Sequence, residues 1–236
     1  MIEAIEPGEV ELEDELAQLL GDWVELEPSR WQRVQYALRK LDSDGPVFPT
    51  FEEFIAWVDE DTSAEWEDGE ILFMSPASLK HQLIAGFLHG LIRVFVEHHK
   101  LGTTLSAPFK MKIPGYGAEP DVLVVLKQNE NRLRKTYLDG PADLVIEVIS
   151  PDSIERDRVK KYNDYEAAGV AEYWIIDPER EAAEFYQLSG GHFVMAETPD
   201  SIYHSKVLPG MRFPLVWLQA AHQPALLDAL RSMGIL

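Results

Sequence analysis

The stretch from Asp143 to Ser150 constrains the fold more than any other part of the sequence. It reads Asp-Leu-Val-Ile-Glu-Val-Ile-Ser, and Pro151 follows it. Apolar residues fall on both faces of the pleat, so the pattern predicts a strand buried between two layers. Glu147 lies in the middle of this strand, where an ionised carboxylate is costly unless a cation, a proton or hydrogen-bond donors compensate it. The sequence therefore predicts that Glu147 has a partner.

Patterns in the rest of the sequence predict alternating strands and helices. A capping box at Thr50 and Glu53 predicts a short helix over 51–58, and Leu and Phe residues at helical spacing predict a long helix over 78–99. Two further helices are predicted over 154–168, which ends at Gly169, and over 224–233. A turn that leads into a strand is predicted over 67–74, and strands are predicted over 103–107, 109–113, 121–126, 172–177, 183–188 and 192–196. This order is typical of an α/β domain on a mixed sheet.

The negative charge is concentrated at the front of the chain. The net charge is −20, and residues 1–70 carry 21 acidic against four basic residues. We expect residues 1–46 to form an acidic helical extension and residues 47–236 to form the main domain. A solvated helical pair that covers one side of the core is the simpler interpretation of the extension. A docking arm for a basic partner and an acidic mimic of DNA are the alternatives.

The composition also limits the compartment and the chemistry. The sequence contains no cysteine, which excludes disulfides, thiolate zinc sites and cysteine nucleophiles. No apolar run approaches the roughly 20 residues that span a bilayer, and the first residues do not resemble a signal peptide. We therefore expect a cytoplasmic protein without a membrane segment. Its overall charge counts against simple nonspecific nucleic-acid binding, although residues 71–236 are close to balanced.

Two predicted strands each place one acid among apolar residues. Asp121 precedes Val-Leu-Val-Val-Leu, and Glu147 interrupts Leu-Val-Ile-Glu-Val-Ile. If these strands are neighbours, their carboxylates converge at a separation of about 5 Å and can share a hard divalent cation such as Mg²⁺. Such a site suits metal-assisted hydrolysis of a phosphodiester bond. The bound cation would also neutralise Glu147.

The helix after the Glu147 strand offers a basic group. Asp157, Lys161 and Tyr165 are four residues apart and therefore lie near one helical face. Lys161 either points back towards the proposed metal site or forms an exposed ion pair with Asp157, and spacing alone favours neither. His81, one turn inside the predicted long helix, likewise either faces a site or packs as an ordinary histidine.

Together these motifs resemble the Uma-type restriction endonucleases, a widespread bacterial family similar to the PD-(D/E)XK nuclease superfamily. The resemblance covers about residues 48–220 and leaves residues 1–46 outside it. It is carried by Thr50 to Phe54, Trp66 to Glu70, Met74 to Pro76 with His81, Pro120-Asp121, Glu147 to Pro151, Asp157 to Val170, Glu172 to Pro178 and Ser205 to Gly210.

The resemblance implies a restriction-endonuclease-like core, in which helices flank a mixed sheet, and assigns roles to residues of this sequence. It implies Asp121 and Glu147 as ligands of Mg²⁺, for which Mn²⁺ can substitute, with the backbone carbonyl of Val148 as a third ligand. The sequence departs from the superfamily pattern at Ile149, where a lysine is expected. In the family a lysine on the following helix is thought to replace it. In this sequence that lysine corresponds to Lys161.

The resemblance also implies further residues around the metal. Glu70 is a candidate additional acid, His81 a residue that lines the site, and Asp157 and Tyr165 are residues that position the lysine. Two functions from different classes follow. One is a Mg²⁺-dependent DNA endonuclease, for which a homodimer would suit the cutting of two strands. The other is a catalytically silent interaction module whose acidic segment, residues 1–46, binds a basic partner or masks the DNA cleft.

Overall fold

The computed structural model describes residues 48–59, 62–150, 153–219 and 221–236. The predicted acidic extension, residues 1–46, lies outside the described residues. Within the described part of the chain, none of the helices combines the length and the apolar character that a membrane span requires.

Four α-helices occur in the described residues: α1 (Phe51–Trp57), α2 (Leu79–His98), α3 (Tyr162–Ala168) and α4 (Leu226–Ser232). Thr50 and Glu53 form the predicted capping box at the start of α1, because each side chain bonds the other's backbone nitrogen. The Ser78 side chain accepts a hydrogen bond from the backbone of His81 and so caps α2. Gly169 ends α3 with a left-handed backbone, φ 86°, as the sequence predicts.

Thirteen strands occur in the same residues and form three sheets. They are β1 (Ala64–Glu67), β2 (Glu70–Phe73), β3 (Gly102–Ser106), β4 (Lys110–Ile113), β5 (Tyr116–Ala118), β6 (Val122–Leu126), β7 (Tyr137–Asp139), β8 (Leu144–Val148), β9 (Glu172–Asp177), β10 (Ala182–Ser189), β11 (His192–Met195), β12 (Ile202–His204) and β13 (Arg212–Pro214). The main sheet has the order β11-β10-β9-β8-β6-β3, the second sheet has the order β2-β1-β5-β4-β7, and β12 pairs with β13. Strands β8 and β9 are parallel, whereas the other pairs of the main sheet are antiparallel. The predicted α/β class with a mixed sheet is confirmed.

Strand β8 lies inside the main sheet and is covered on both faces, as its apolar pattern predicts. Ile146 and Val148 face one core, which α2 and α4 cover. Val145 and Ile149 face the other core, where β4, β5 and α3 contribute residues. Glu147 lies between Ile146 and Val148 in the strand, so its side chain points to the opposite face, towards the second sheet and α3. This arrangement places the carboxylate between two layers of the molecule.

The structure differs from the sequence-based prediction in its short elements. Strands β1, β5, β7, β12 and β13 were not predicted, and β5 lies between the strands predicted over 109–113 and 121–126. The predicted regular helix over 154–168 begins instead with a π-helical turn, Arg156–Lys161, that continues into α3. The buried strand β9 matches its predicted range.

Candidate active site

Asp121 and Glu147 lie opposite each other on neighbouring antiparallel strands. The register pairs Val122 with Ile146, which brings Asp121, just before β6, opposite Glu147 on β8. The backbone nitrogen of Val148 donates a hydrogen bond of 2.7 Å to Oδ2 of Asp121. The strand order thus brings together the two carboxylates that the sequence predicts to converge.

Lys161 is buried and faces Glu147. Its Nζ donates a hydrogen bond of 2.9 Å to Oε1 of Glu147, lies 2.9 Å from Oε1 of Glu65 and lies 3.6 Å from Oδ1 of Asp157. Only 2% of the residue is exposed. The ion pair with Asp157 therefore exists, but it is buried rather than exposed, and the lysine points back to β8.

The π-helical turn Arg156–Lys161 directs the side chain of Lys161 towards Glu147. A π-helix closes hydrogen bonds between residues five apart, and such turns occur frequently at functional sites. Asp157 and Lys161 are buried on its inner side. The side chains between them point away: Lys160 pairs with Asp164 at 2.7 Å, and Arg158 pairs with Glu184 at 2.7 Å.

Two tyrosines complete the inner side of the cluster. The hydroxyl of Tyr165 donates a hydrogen bond of 2.7 Å to Oε1 of Glu147, and burial raises the pKa of Tyr165 well above its usual range. The hydroxyl of Tyr173 on β9 donates a hydrogen bond of 3.0 Å to the backbone oxygen of Asp157. Both hydroxyls therefore act as donors, one to the carboxylate and one to the backbone that carries Asp157.

His81 reaches the site from the first turn of α2. Its Nε2 lies 3.2 Å from Oδ2 of Asp121, and the side chain is 12% exposed. Burial lowers the pKa of His81, but the hydrogen bond and charge of Asp121, the backbone of Val148 and the charge of Asp157 outweigh burial and raise it. The structure therefore brings His81 against the predicted metal ligand Asp121.

Glu65 is a member of the cluster that the sequence-based prediction missed. It is fully buried on β1, where it lies beside Lys161, receives a hydrogen bond from the Tyr116 hydroxyl and accepts one of 3.0 Å from the backbone nitrogen of Glu119. Its strand, Ala-Glu-Trp-Glu, is buried at its first three positions, so no alternation in the sequence distinguishes Glu65 from its neighbours. Glu70, the predicted additional acid, begins β2, is exposed and pairs across the hairpin with Glu67, outside this cluster.

The charges of the cluster depend on one another. Burial raises the pKa of Glu147, the charges of Asp157, Asp121 and Glu65 raise it further, and Lys161 opposes them. Burial also acts to raise the pKa of Glu65, but Lys161, the Tyr116 hydroxyl and the backbone of Glu119 outweigh it and lower that pKa. Burial acts to lower the pKa of Lys161, but Glu147 and Glu65 raise it well above its usual range. Lys161 is thus held as a cation. Its single charge does not offset the burial and the neighbouring acids that raise the pKa of Glu147.

Asp121 and Glu147 fit a divalent cation that binds through few protein ligands. In the described part of the chain, the protein donors reach Oδ2 of Asp121 and Oε1 of Glu147, so the second oxygen of each carboxylate is free of protein donors. In the same residues, no group of three His, Asp or Glu side chains is arranged to hold a metal ion. Mg²⁺ binds through one or two carboxylates and keeps several waters, so it matches this donor set.

Comparisons with known proteins agree with the fold and the motifs. A family model described as "Uma2: Putative restriction endonuclease" matches residues 51–216. A crystal structure of "a putative nuclease belonging to DUF820 from Anabaena variabilis ATCC 29413" is similar, with a TM-score of 0.59 and 18% identity over 70% of this chain and 94% of that chain. A search of curated proteins finds no match. Because the family match covers more than half of the chain, the resemblance is confirmed, and the protein belongs to the Uma2 restriction endonuclease family.

Proposed function

We propose that this protein is a Mg²⁺-dependent endodeoxyribonuclease that hydrolyses phosphodiester bonds. One observation carries the proposal: Glu147, which lies opposite Asp121 on the neighbouring strand, accepts a hydrogen bond from the buried ammonium group of Lys161. Lys161 comes from the helix after β8, and Ile149 occupies the position where the superfamily pattern has its lysine. Membership of a nuclease family supports the same reaction class. DNA is the substrate that the family description implies.

The carboxylates of Asp121 and Glu147, with the backbone carbonyl of Val148, would hold the metal. A bound Mg²⁺ polarises a phosphoryl oxygen and lowers the pKa of a bound water, and Mn²⁺ can take its place. Val148 contributes in a second way, since its backbone nitrogen orients the Asp121 carboxylate. His81 contacts the same oxygen of Asp121 and fixes the carboxylate from the α2 side.

Lys161 would stabilise the negative charge that develops on the phosphate in the transition state. Its ammonium group is held in one place by Glu65 and Glu147, so it needs no rearrangement during the reaction. Burial strengthens this effect because water does not screen the charge. Asp157 and Tyr165 contribute by positioning Lys161 and Glu147.

Cleavage assays with matched variants test the proposal. The full chain is expected to cleave plasmid or branched DNA in Mg²⁺ or Mn²⁺ and to lose this activity in EDTA. Glu147→Ala and Asp121→Ala are expected to abolish cleavage. Glu97→Ala, which removes an exposed acid on α2, is the control for loss of one carboxylate and is expected to leave the rate unchanged. Cleavage by Glu147→Ala at the rate of the unaltered chain would contradict the proposal.

The burial of Lys161 also favours a second candidate, an interaction module that keeps the fold without catalysis. A lysine saturated by three carboxylates can act as a structural core ion cluster. Absence of cleavage of every DNA substrate, by the full chain and by a chain without residues 1–46, would favour this candidate. Cleavage that is lost in EDTA would exclude it.

We also propose that the active form is a homodimer, because two sites would suit the cutting of both strands of a duplex. Of two tryptophans that an interface could use, Trp174 is fully buried within the core and cannot contribute. Trp217 is partly buried and packs edge-on against Phe87 and Phe213. Light scattering of the purified chain tests the dimer, and a monomer that linearises plasmid would contradict it.

A further inference from the structure

Unpartnered polar atoms are concentrated at the Asp121–Glu147 site. In the described part of the chain, the buried side-chain nitrogen and oxygen atoms without a hydrogen-bond partner are His81 Nδ1, Thr104 Oγ1, Arg156 Nε and Asp157 Oδ1. Three of these four atoms belong to residues around the site. Native proteins satisfy nearly all buried polar groups, so each exception requires an explanation. The unmet hydrogen-bonding capacity is thus concentrated beside Asp121 and Glu147.

Arg156 is the member of this group that can bind an anion. An arginine is always protonated and has only donors, so its unpartnered Nε–H lacks an acceptor. The carboxylate oxygen with which this atom pairs is Oδ1 of Asp157, at 3.9 Å, which is too long for a hydrogen bond. Its side chain is 31% exposed, compared with 3% for Lys161. Part of the Arg156 side chain therefore reaches solvent, although its Nε is buried, whereas Lys161 is enclosed.

The π-helical turn places Arg156 beside the catalytic cluster. Arg156 and Lys161 are five residues apart, which is the hydrogen-bond spacing of a π-helix, so both lie along the same side of the turn. Burial lowers the pKa of Arg156, but the charges of Glu65, Asp157 and Glu147 raise it. The guanidinium group is thus within the electrostatic influence of the carboxylates that surround Lys161.

The basic residues next in the chain behave differently. Arg158 has short contacts with Glu184 and Asp177, at 2.7 and 3.2 Å, and Lys160 has short contacts with Asp164 and Glu67, at 2.7 and 3.1 Å. These two cations are neutralised by partners on the protein. Arg156 keeps donor capacity beside the carboxylates that surround Lys161.

We propose that Arg156 binds a phosphate group of the nucleic-acid strand next to the bond that is cleaved. Guanidinium groups bind phosphate oxygens through two parallel donors, which a lysine does not reproduce. Because Nε is buried, the phosphate would accept from the terminal Nη nitrogens of Arg156, to which the described residues give no hydrogen-bond acceptor. This inference rests on the proposed function, because it takes a phosphodiester as the ligand of the site.

Binding measured without cleavage tests the role of Arg156. A fluorescein-labelled duplex is titrated with the full chain and with Arg156→Gln, by fluorescence anisotropy, in EDTA and in Ca²⁺, over a series of salt concentrations. A denaturing gel verifies that the duplex stays intact. Arg156→Gln is expected to weaken binding about ten-fold and to reduce the slope of log K against log salt by about 0.9, the value for one phosphate contact.

Two variants separate a local contact from a general charge effect. Arg231→Gln removes an exposed arginine that pairs with Asp228 at 2.7 Å, so it changes the net charge by the same amount. It is expected to bind like the unaltered chain. Arg156→Lys keeps the charge and is expected to keep the salt slope while losing part of the affinity. Thermal melts of all variants verify that each is folded.

The outcomes separate this inference from the proposed function. Unchanged affinity and salt slope in Arg156→Gln, equal losses in Arg156→Gln and Arg231→Gln, or no binding by the unaltered chain would overturn the inference. If the unaltered chain binds, loses affinity through Arg156→Gln and fails to cleave in Mg²⁺, the phosphate contact stands and the hydrolytic function fails. If it cleaves and Arg156→Gln binds normally, the hydrolytic function stands and the contact fails.

Discussion

Lys161 is held by three buried carboxylates, and its removal leaves them without their shared cation. Glu65, Glu147 and Asp157 all lie within 3.6 Å of its Nζ. We predict that Lys161→Met, which keeps the length of the side chain, lowers the free energy of unfolding by about 3–5 kcal/mol, because buried charges would remain uncompensated. Urea unfolding in the absence of metal, followed by circular dichroism, measures this difference.

Lys160 provides the matched control for that substitution. It is the adjacent residue, it pairs with Glu67 and Asp164, and its side chain is 29% exposed. Lys160→Met is expected to lower the free energy of unfolding by about 1 kcal/mol, as is usual for partly exposed pairs. Equal losses in the two variants would mean that burial of the carboxylates around Lys161 carries no special penalty.

Glu65 and Glu70 are competing candidates for the acid that supports Lys161. Glu65 lies 2.9 Å from the ammonium group, whereas Glu70 is exposed at the start of β2. We predict that Glu65→Gln lowers the rate of DNA cleavage by roughly 100-fold, because misplacing a catalytic group by about 1 Å has an effect of this size. Glu70→Gln is expected to change the rate less than two-fold. The measurement is the initial rate of plasmid cleavage in Mg²⁺.

The same pair of variants tests the sequence-based hypothesis for Glu70. A large loss in Glu70→Gln with a normal rate in Glu65→Gln would favour that hypothesis over the position of Glu65 in the cluster. Both variants require a melting experiment first, since Glu65 also accepts hydrogen bonds from Tyr116 and Glu119. A buried hydrogen-bond partner that is lost destabilises a protein by about 1–3 kcal/mol.

At the scale of elements, two glycines in helical contexts have opposite conformational requirements. Gly169 ends α3 with φ 86°, a left-handed conformation that an L-residue adopts at a cost of about 1–2 kcal/mol. Gly86 lies inside α2 and is exposed, and a methyl group added at its Cα would meet no atom within 4 Å. We predict that Gly169→Ala destabilises the chain by about 1 kcal/mol and that Gly86→Ala stabilises it by a similar amount. Urea unfolding of both variants tests the opposite signs.

The elements that could be predicted from sequence are those in which burial on both faces produces a run of apolar residues. The residues of β8 and β9 are apolar on both faces, so each reads as a buried strand, and Glu147 stands out because it interrupts one of them. Strands β5 and β7 have three residues each, too few for a periodic pattern. Their existence depends on pairing with β4 in the second sheet.

Only part of the candidate site could be predicted from sequence, namely the acids that interrupt apolar runs and the lysine on the helix after β8. Asp121 and Glu147 each interrupt an apolar run, and Lys161 follows on the next helix at a recognisable spacing. Glu65 contacts the same lysine from another sheet, and no local pattern shows which of the acids near β1 points inward. The π-helical turn was also hidden, because a spacing of four residues fits an α-helix equally well.

At the scale of the whole molecule, the distribution of charge bears on any contact with nucleic acid. Residues 1–46 contain 12 acidic and four basic residues, a formal charge of −8, so a chain without them carries −12 instead of −20. Residues Phe48–Leu236 form one compact unit with its own hydrophobic clusters. We therefore expect a chain that begins at residue 47 to fold and to unfold cooperatively.

Removal of residues 1–46 is predicted to strengthen DNA binding at low salt, because fewer negative charges repel the phosphate backbone. The gain should shrink between about 10 and 150 mM salt, as the screening length falls from roughly 30 to 8 Å. Anisotropy titrations of the full and shortened chains measure it. A full-length variant in which eight acidic residues of 1–46 are replaced with amides is the control. A gain in the shortened chain alone, independent of salt, would indicate that the segment masks the cleft by occupying it rather than by its charge.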